Sequence, residues 1–199
     1  FSSTVNLNQG GNTTRAWELN GSYNNGPIFA SLDYLRGTNM GVSLPGNGSL
    51  DTGLGPNTAQ LSTNSSQGLA VKHWQVTGGY DFGIAKVAAM YQNLKVDNVS
   101  CDRTVWMLGA TVPVGPGAIL ASYAQAKNTL AADTGNNTAK QYAIGYTYAL
   151  SKRTNLYTSY AHISNDTNTA LAVGDASTFQ GGVAGQSSSG FALGVRHQF

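Results

Sequence analysis

The stretch Phe191-Ala-Leu-Gly-Val-Arg-His-Gln-Phe199 decides the fold. In an extended strand Phe191, Leu193, Val195, His197 and Phe199 project to one side, and Ala192, Gly194, Arg196 and Gln198 to the other, because side chains alternate across the pleat. Water gives a strand little reason to finish on a bare aromatic. A strand whose outer face meets lipid gains an interfacial anchor at that place.

Composition allows the same reading. Charged residues make up 10% of the chain, against roughly 25% in an ordinary globular protein. Asn, Ser, Thr, Gly and Gln take their place. With 41% hydrophobic residues and recurrent tyrosine, the chain is not a disordered one. No apolar run reaches the roughly 18 residues that a membrane helix requires. A barrel that is apolar outside and polar inside hides its hydrophobicity in alternation and keeps mean hydropathy near zero, here −0.19. A net charge of +2 gives no electrostatic footprint for nucleic acid. The single Cys101 excludes a disulfide framework within the chain. Phe1-Ser-Ser-Thr lacks the basic and apolar regions of a signal peptide, as expected of a mature secreted chain or of one without its natural beginning.

Working backwards from the last strand, alternating segments pair through turns. Arg15 to Tyr23 and Ile28 to Arg36 flank Asn24-Asn25-Gly26-Pro27; Val71 to Phe82 and Ala85 to Leu94 flank Gly83-Ile84. Arg103 to Val112 and Ile119 to Ala126 flank a Pro-Val-Gly-Pro-Gly turn that begins at Pro113. Gln141 to Leu150 and Leu156 to Ile163 flank Ser151-Lys-Arg-Thr-Asn155. With Ser189 to Phe199 this predicts nine antiparallel strands. The intervening connections 37–70, 95–102, 127–139 and 164–188 are longer, and the first and last are rich in Gly, Asn, Ser and Thr. Long connections at one end and tight turns at the other are the asymmetry of outer-membrane barrels, with the tight turns on the periplasmic side.

Hairpin registers follow. A four-residue turn at Asn24 predicts Tyr23 opposite Ile28, Leu19 opposite Leu32 and Trp17 opposite Tyr34. Around Gly83-Ile84, Tyr80 faces Val87 and Val76 faces Tyr91; in the last hairpin Tyr148 faces Thr158 and Tyr146 faces Tyr160. Every hairpin then has one aromatic-rich face and one small or polar face. A slip of one residue would exchange them. Trp17, Tyr34, Trp74, Tyr91, Trp106, Tyr123 and Tyr160 fall on the apolar face, mostly near strand ends, where aromatic girdles belong. Glu18, Asp33, His73, Gln75, Asp81, Lys86, Arg103 and Arg196 fall on the polar face, the wall of an aqueous channel if the sheet closes.

Gly78-Gly-Tyr-Asp-Phe-Gly83, Tyr146-Thr-Tyr-Ala-Leu-Ser-Lys-Arg-Thr-Asn-Leu-Tyr157 and Phe191 to Phe199 resemble the trimeric general-diffusion porins of Gram-negative outer membranes, in particular their beta-proteobacterial branch. The likeness runs from about Arg15 to the end. It implies an all-β, transmembrane antiparallel barrel of about sixteen strands, a homotrimer seated in outer-membrane lipid, and passive diffusion of ions and small hydrophilic solutes. The expectation is a passive pore, with no catalysis and no cofactor. The likeness also implies that Phe191, Leu193, Val195, His197 and Phe199 form the signal read by the outer-membrane assembly machinery, with His197 where an aromatic is commoner. Nine strands cannot close an antiparallel barrel, which needs an even number, and open edges in lipid would leave backbone groups unpaired. The expectation is therefore a carboxy-terminal portion: residues 14–199 as strands of one barrel, residues 1–13 as the tail of an extracellular loop, and the family's constriction loop in the other half.

The polar face offers three pieces of chemistry. Asp81 and Lys86 are expected opposite each other as an ion pair at the periplasmic mouth, worth tenths of a kcal/mol in water. Glu18 and Asp33 are expected side by side; either they form the cation-facing arm of a constriction field or they are solvated wall residues relieved by counter-ions. Arg103 and Arg196 point inward near opposite ends, since a guanidinium facing lipid at the midplane would cost roughly 2–4 kcal/mol. Two acids against two arginines favour neither sign of ion. His73, His162 and His197 form no metal constellation, and His162 lacks the orienting acid or amide of a Ser–His nucleophile. The 37–68 segment has no phosphate-loop pattern, and Lys152 and Arg153 read as register and solubility devices. The competing readings are a smaller, complete outer-membrane barrel with an adhesive or structural role, and a soluble carbohydrate-binding β-sandwich.

Overall fold

The computed structural model describes residues 2–10, 14–40, 69–97, 101–130, 137–174 and 182–198. Ten strands form a single sheet: β1 (Ser2–Gly10), β2 (Thr14–Asn25), β3 (Ile28–Met40), β4 (Leu69–Asp81), β5 (Lys86–Val96), β6 (Cys101–Val114), β7 (Gly117–Leu130), β8 (Thr138–Ser151), β9 (Thr154–Asn165) and β10 (Ser188–His197). Each strand pairs antiparallel with its sequence neighbours, so the order is β1 to β10, with β1 and β10 at the edges. The described residues contain no helix long and apolar enough to cross a membrane. The strands are 9 to 14 residues long, and about 9–11 tilted residues cross a bilayer.

The nine strands read from the sequence are β2 to β10, and the structure adds one. Residues 2–10, expected within a loop tail, form β1, with Val5 opposite Leu19 and Leu7 opposite Trp17. Only Val5 and Leu7 mark this segment as apolar. Pairing with β2 supplies the hydrogen bonds that its composition does not advertise. Phe199 lies outside the described residues, as do 41–68 of the long glycine-rich connection.

Two hairpin registers differ from expectation by two residues. The β2–β3 turn is Gly26-Pro27, with Asn25 opposite Ile28; Tyr23 therefore faces Ala30, Leu19 faces Tyr34 and Trp17 faces Arg36. Gly26 adopts φ 54°, a left-handed conformation that tightens the turn and keeps Asn24 and Asn25 in the strand. In the β8–β9 hairpin the register shifts between Ala149 and Ser151, so Tyr148 faces Leu156 and Tyr146 faces Thr158. The β4–β5 register is as expected, with Tyr80 opposite Val87 and Val76 opposite Tyr91. An even shift preserves faces, and each aromatic stays on the side to which it was assigned.

The sheet is partitioned opposite to a soluble sandwich. Large apolar side chains of one face stand exposed, Leu193 at 75% and Phe191 at 71% on the β10 edge and Ile144 at 56% within the sheet. The buried strand residues, among them Val71, Val96, Val105, Ala124, Ala126, Ala139 and Ile163, all belong to the other face and to its long-connection half. Tilted ring pairs tile the exposed face: Trp17–Tyr34, Trp74–Tyr91 and Trp106–Tyr123, with centroids 5.0, 5.1 and 5.2 Å apart. Fully exposing one such large side chain to water costs about 1.5–3 kcal/mol, so a face of this kind requires a hydrocarbon solvent.

On the polar face two aromatics cover glycines directly opposite: Phe29 lies over Gly79, and Tyr157 over Gly194. A Cβ at Gly79 would collide with the Phe29 ring and lie 2.7 Å from the Val87 carbonyl oxygen. The ring thus supplies the contact that the bare glycine lacks. Gly79→Val should destabilise the folded full-length protein by about 1–3 kcal/mol, measured by urea unfolding in lipid. Gly21→Ala, where a Cβ meets nothing within 4 Å, should stay within about 0.5 kcal/mol. Equal effects at both positions would refute the packing account.

Candidate functional site

The polar face is built from alternate residues of β2 to β10, and register decides which meet. Glu18, Leu35 and His73 lie in one row; Asn20, Asp33 and Gln75 lie in the next. Glu18 and Asp33 are therefore not directly opposite as expected. The tighter Gly26-Pro27 turn makes them diagonal neighbours, and the Asn20 Nδ2 donates to Asp33 Oδ1 instead. Gln75 Nε2 donates to Thr77 Oγ1 at 3.4 Å. The structure thus gathers Glu18, Asp33, His73 and Gln75 into one polar patch on β2–β4.

Asp81 and Lys86 close the β4–β5 turn opposite each other, Nζ to Oδ2 3.0 Å. The Gly83 amide donates to Asp81 Oδ1 at 2.8 Å. Arg103 lies at the opposite end of the polar face, level with Leu94 and Asn128. Arg196 sits on β10 opposite Asn155, at the short-turn end. The two arginines are apart from each other and from the acidic patch.

Phe191, Leu193, Val195 and His197 share the aromatic face of β10, opposite Tyr160, Thr158, Leu156 and Thr154. The end of β10 is clamped to the β8–β9 turn: Arg153 Nε donates to the Gln198 carbonyl at 2.7 Å, and the Gln198 amide donates to the Arg153 carbonyl at 2.9 Å. This gives Arg153 the register role read from the sequence. His197 Nδ1 is hydrogen-bonded to Thr154 Oγ1 at 2.9 Å. His162 Nδ1 is hydrogen-bonded to Ser189 Oγ at 2.7 Å, and its ring stacks on Tyr142 at 5.0 Å, where a Ser–His nucleophile would need an acid or amide.

Sequence reasoning missed how the β9–β10 connection sits. Its described residues fold back over the polar face. Leu171 lines a small crevice together with Ala124, Ala126, Ala139, Gln141 and Ile163, and a Cβ on Gly190 would lie 2.7 Å from Val173 Cγ1. Asn165, 9% exposed, ties both limbs of the connection. Its Nδ2 donates to the Leu171 and Gln186 carbonyls at 2.8 and 2.6 Å, and its Oδ1 accepts from the Leu171 amide at 3.0 Å. Thr169 is also buried, its hydroxyl donating to the Thr138 and Asp166 carbonyls at 3.2 and 3.0 Å. The alanine wall at Ala124, Ala126 and Ala139 is the one sequence sign, since small residues leave room for a covering segment.

Residues 2–168 match the Gram-negative porin family, and the chain belongs to it. It is therefore a chain of an outer-membrane β-barrel protein. It is 36% identical over 160 residues to outer membrane porin protein 32 of Delftia acidovorans, a match covering 77% of this chain and 44% of that protein. The anion-selective porin from Comamonas acidovorans superposes with a TM-score of 0.69 and 27% identity, over 93% of this chain and 49% of that one. The trimer form of OmpT from Vibrio cholerae, 15% identical, shares the fold with a TM-score of 0.66 over 98% of this chain and 64% of that one. The chain spans about half the length of the curated relatives it matches.

Asn165→Ala removes three hydrogen bonds from the anchored connection. At about 0.5–1.5 kcal/mol for each bond, it should weaken the anchoring by roughly 2–4 kcal/mol. Limited proteolysis of the folded protein should then cut between 166 and 187 far faster than in wild type. An unchanged cleavage rate would show that Asn165 is not the anchor.

Proposed function

We propose that this chain forms one wall of a water-filled outer-membrane pore through which ions and small hydrophilic solutes diffuse passively, without catalysis or cofactor. The observation that carries the reading is the inverted partition of a family-matched sheet, with large apolar and aromatic side chains exposed on one face and Glu18, Asp33, His73 and Gln75 gathered on the other. Residues 14–199 would serve a single barrel, joined now by β1. Unpaired edges at β1 and β10 are costly in hydrocarbon, which supports further strands completing a barrel of about sixteen, three barrels to an assembly.

Solutes would be sorted by pore radius and by lumen charge. Glu18, Asp33, His73, Gln75, Asp81, Lys86, Arg103 and Arg196 are the lining groups. Asp81 and Lys86 neutralise one another at the mouth, which leaves the Glu18–Asp33 patch opposed by the two arginines. The relative's title of anion-selective porin supports giving Arg103 and Arg196 the larger share. The Asn165-anchored connection covers part of the lumen wall and so narrows the path at the extracellular end. The outward row ending at His197 would serve recognition by the assembly machinery.

Stepwise conductance of the full-length protein in planar bilayers tests the pore; a folded, inserted protein that conducts nothing would refute it. Reversal potentials in a salt gradient test the lining. Arg103→Gln should shift the potential towards cation preference and Glu18→Gln towards anion preference. If neither moves it, selectivity does not lie on this wall.

A further inference from the structure

Register sets one titratable ring between two opposed charges. Glu18 on β2, Leu35 on β3, His73 on β4, Leu94 on β5 and Arg103 on β6 stand opposite one another in succession, a single row across the polar face. Neighbouring strands lie about 4.8 Å apart. Glu18 and Arg103 are each two strands from His73, so roughly 10 Å away along the sheet on either side. Asp33 stands in the next row on β3, diagonal to His73, which puts their backbones about 7–8 Å apart. The acidic end of the row thus holds two carboxylates and the basic end one guanidinium, with the half-buried imidazole between them.

Two strands pack against β4 here. β3 brings Leu35 opposite His73, with Asp33 and Gly37 diagonal; β5 brings Leu94 opposite, with Gln92 and Val96 diagonal. Val71 and Gln75 flank the ring along β4 itself. Asp33, and then Glu18 and Arg103 one strand further out, are therefore the charged groups of the sheet that share its face here; Lys72 and Lys95 belong to the other face. The other two histidines sit on the aromatic face, where His162 is hydrogen-bonded to Ser189 and His197 to Thr154. Imidazole ordinarily changes charge between about pH 5 and 8, a range in which ordinary carboxylates and guanidinium keep theirs. With a neutral ring the two acids outweigh the arginine. With a protonated ring the patch is balanced.

We propose that His73 is a selectivity-determining residue of the pore, its protonation moving this wall away from cations and towards anions. The inference rests on the pore reading given under Proposed function. Ions are sorted by the charge of the wall they pass. A proton on His73 offsets the carboxylates on one side and extends the field of Arg103 on the other. The pore thus passes relatively more anion in acid and relatively more cation above neutrality.

The test measures reversal potentials of the full-length protein in planar bilayers of neutral lipid, from about pH 5 to pH 8. Salt is kept at or below about 0.1 M, where the Debye length is about 10 Å. In wild type the anion-to-cation permeability ratio should rise roughly twofold from the alkaline to the acid end, the screened effect of one unit charge about 10 Å away in water. H73Q should hold the alkaline ratio at every pH. H73K, charged throughout this range, should hold the acid ratio. H162Q, altered on the aromatic face, should keep the wild-type step. A flat wild-type profile overturns the proposal, and so does a step that survives in H73Q or H73K. Lower conductance in H73Q with the step intact would mark a merely structural residue and overturns it too. If one His73 variant fails to fold, as judged by heat-modifiable mobility, the other decides by the same criterion. Absence of conductance at every pH would sink the pore reading and this inference with it, whereas conductance without the step sinks this inference alone.

Discussion

A backbone amide in hydrocarbon has no water to bond, and everything else in this structure follows from meeting that requirement. Neighbouring strands satisfy one another's donors and acceptors across a ten-stranded sheet, which frees the side chains to choose solvents. They choose by parity. One face presents rings and branched chains to lipid, the other presents Asn, Ser, Thr, Gln and a few charges to the lumen. Burial consequently runs backwards from a soluble protein: the buried strand residues are valines, alanines and Ile163 of the polar face, and the large side chains of the other face are exposed.

This inversion explains how so few charges can define a site. On the polar face the ionised groups sit among neutral polar neighbours, and register sets which of them meet. Asp33 meets Asn20 rather than Glu18, while Asp81 meets Lys86 at the turn. The acids group on β2–β3, whereas the arginines stand on β6 and β10. Outside, charges are tolerated beyond the girdle, where the head groups lie.

Face assignment was readable because period-two alternation survives any even error. Reading Asn24-Asn-Gly-Pro27 as a four-residue turn, when Gly26-Pro27 alone turns, moved the pairing by two and left Trp17, Leu19 and Tyr34 on the lipid side. The shift at Ala149–Ser151 did the same for Tyr146 and Tyr148. Neither error harmed the fold, yet the first misplaced the Glu18–Asp33 contact, because contacts depend on register and faces only on parity. β1 escaped notice because Val5 and Leu7 alone carry its apolar signal.

Sequence alone therefore determined the class, the two faces, the tight-turn end and the common polar face of Glu18, Asp33, His73, Gln75, Asp81, Lys86, Arg103 and Arg196, since each is a local consequence of alternation and turn chemistry. Tertiary structure alone decided which of them touch, that β1 completes β2, and that Asn165 binds Leu171 and Gln186 over the polar face. Those are relations between segments distant along the chain. They depend on strand tilt and register, which no single segment encodes.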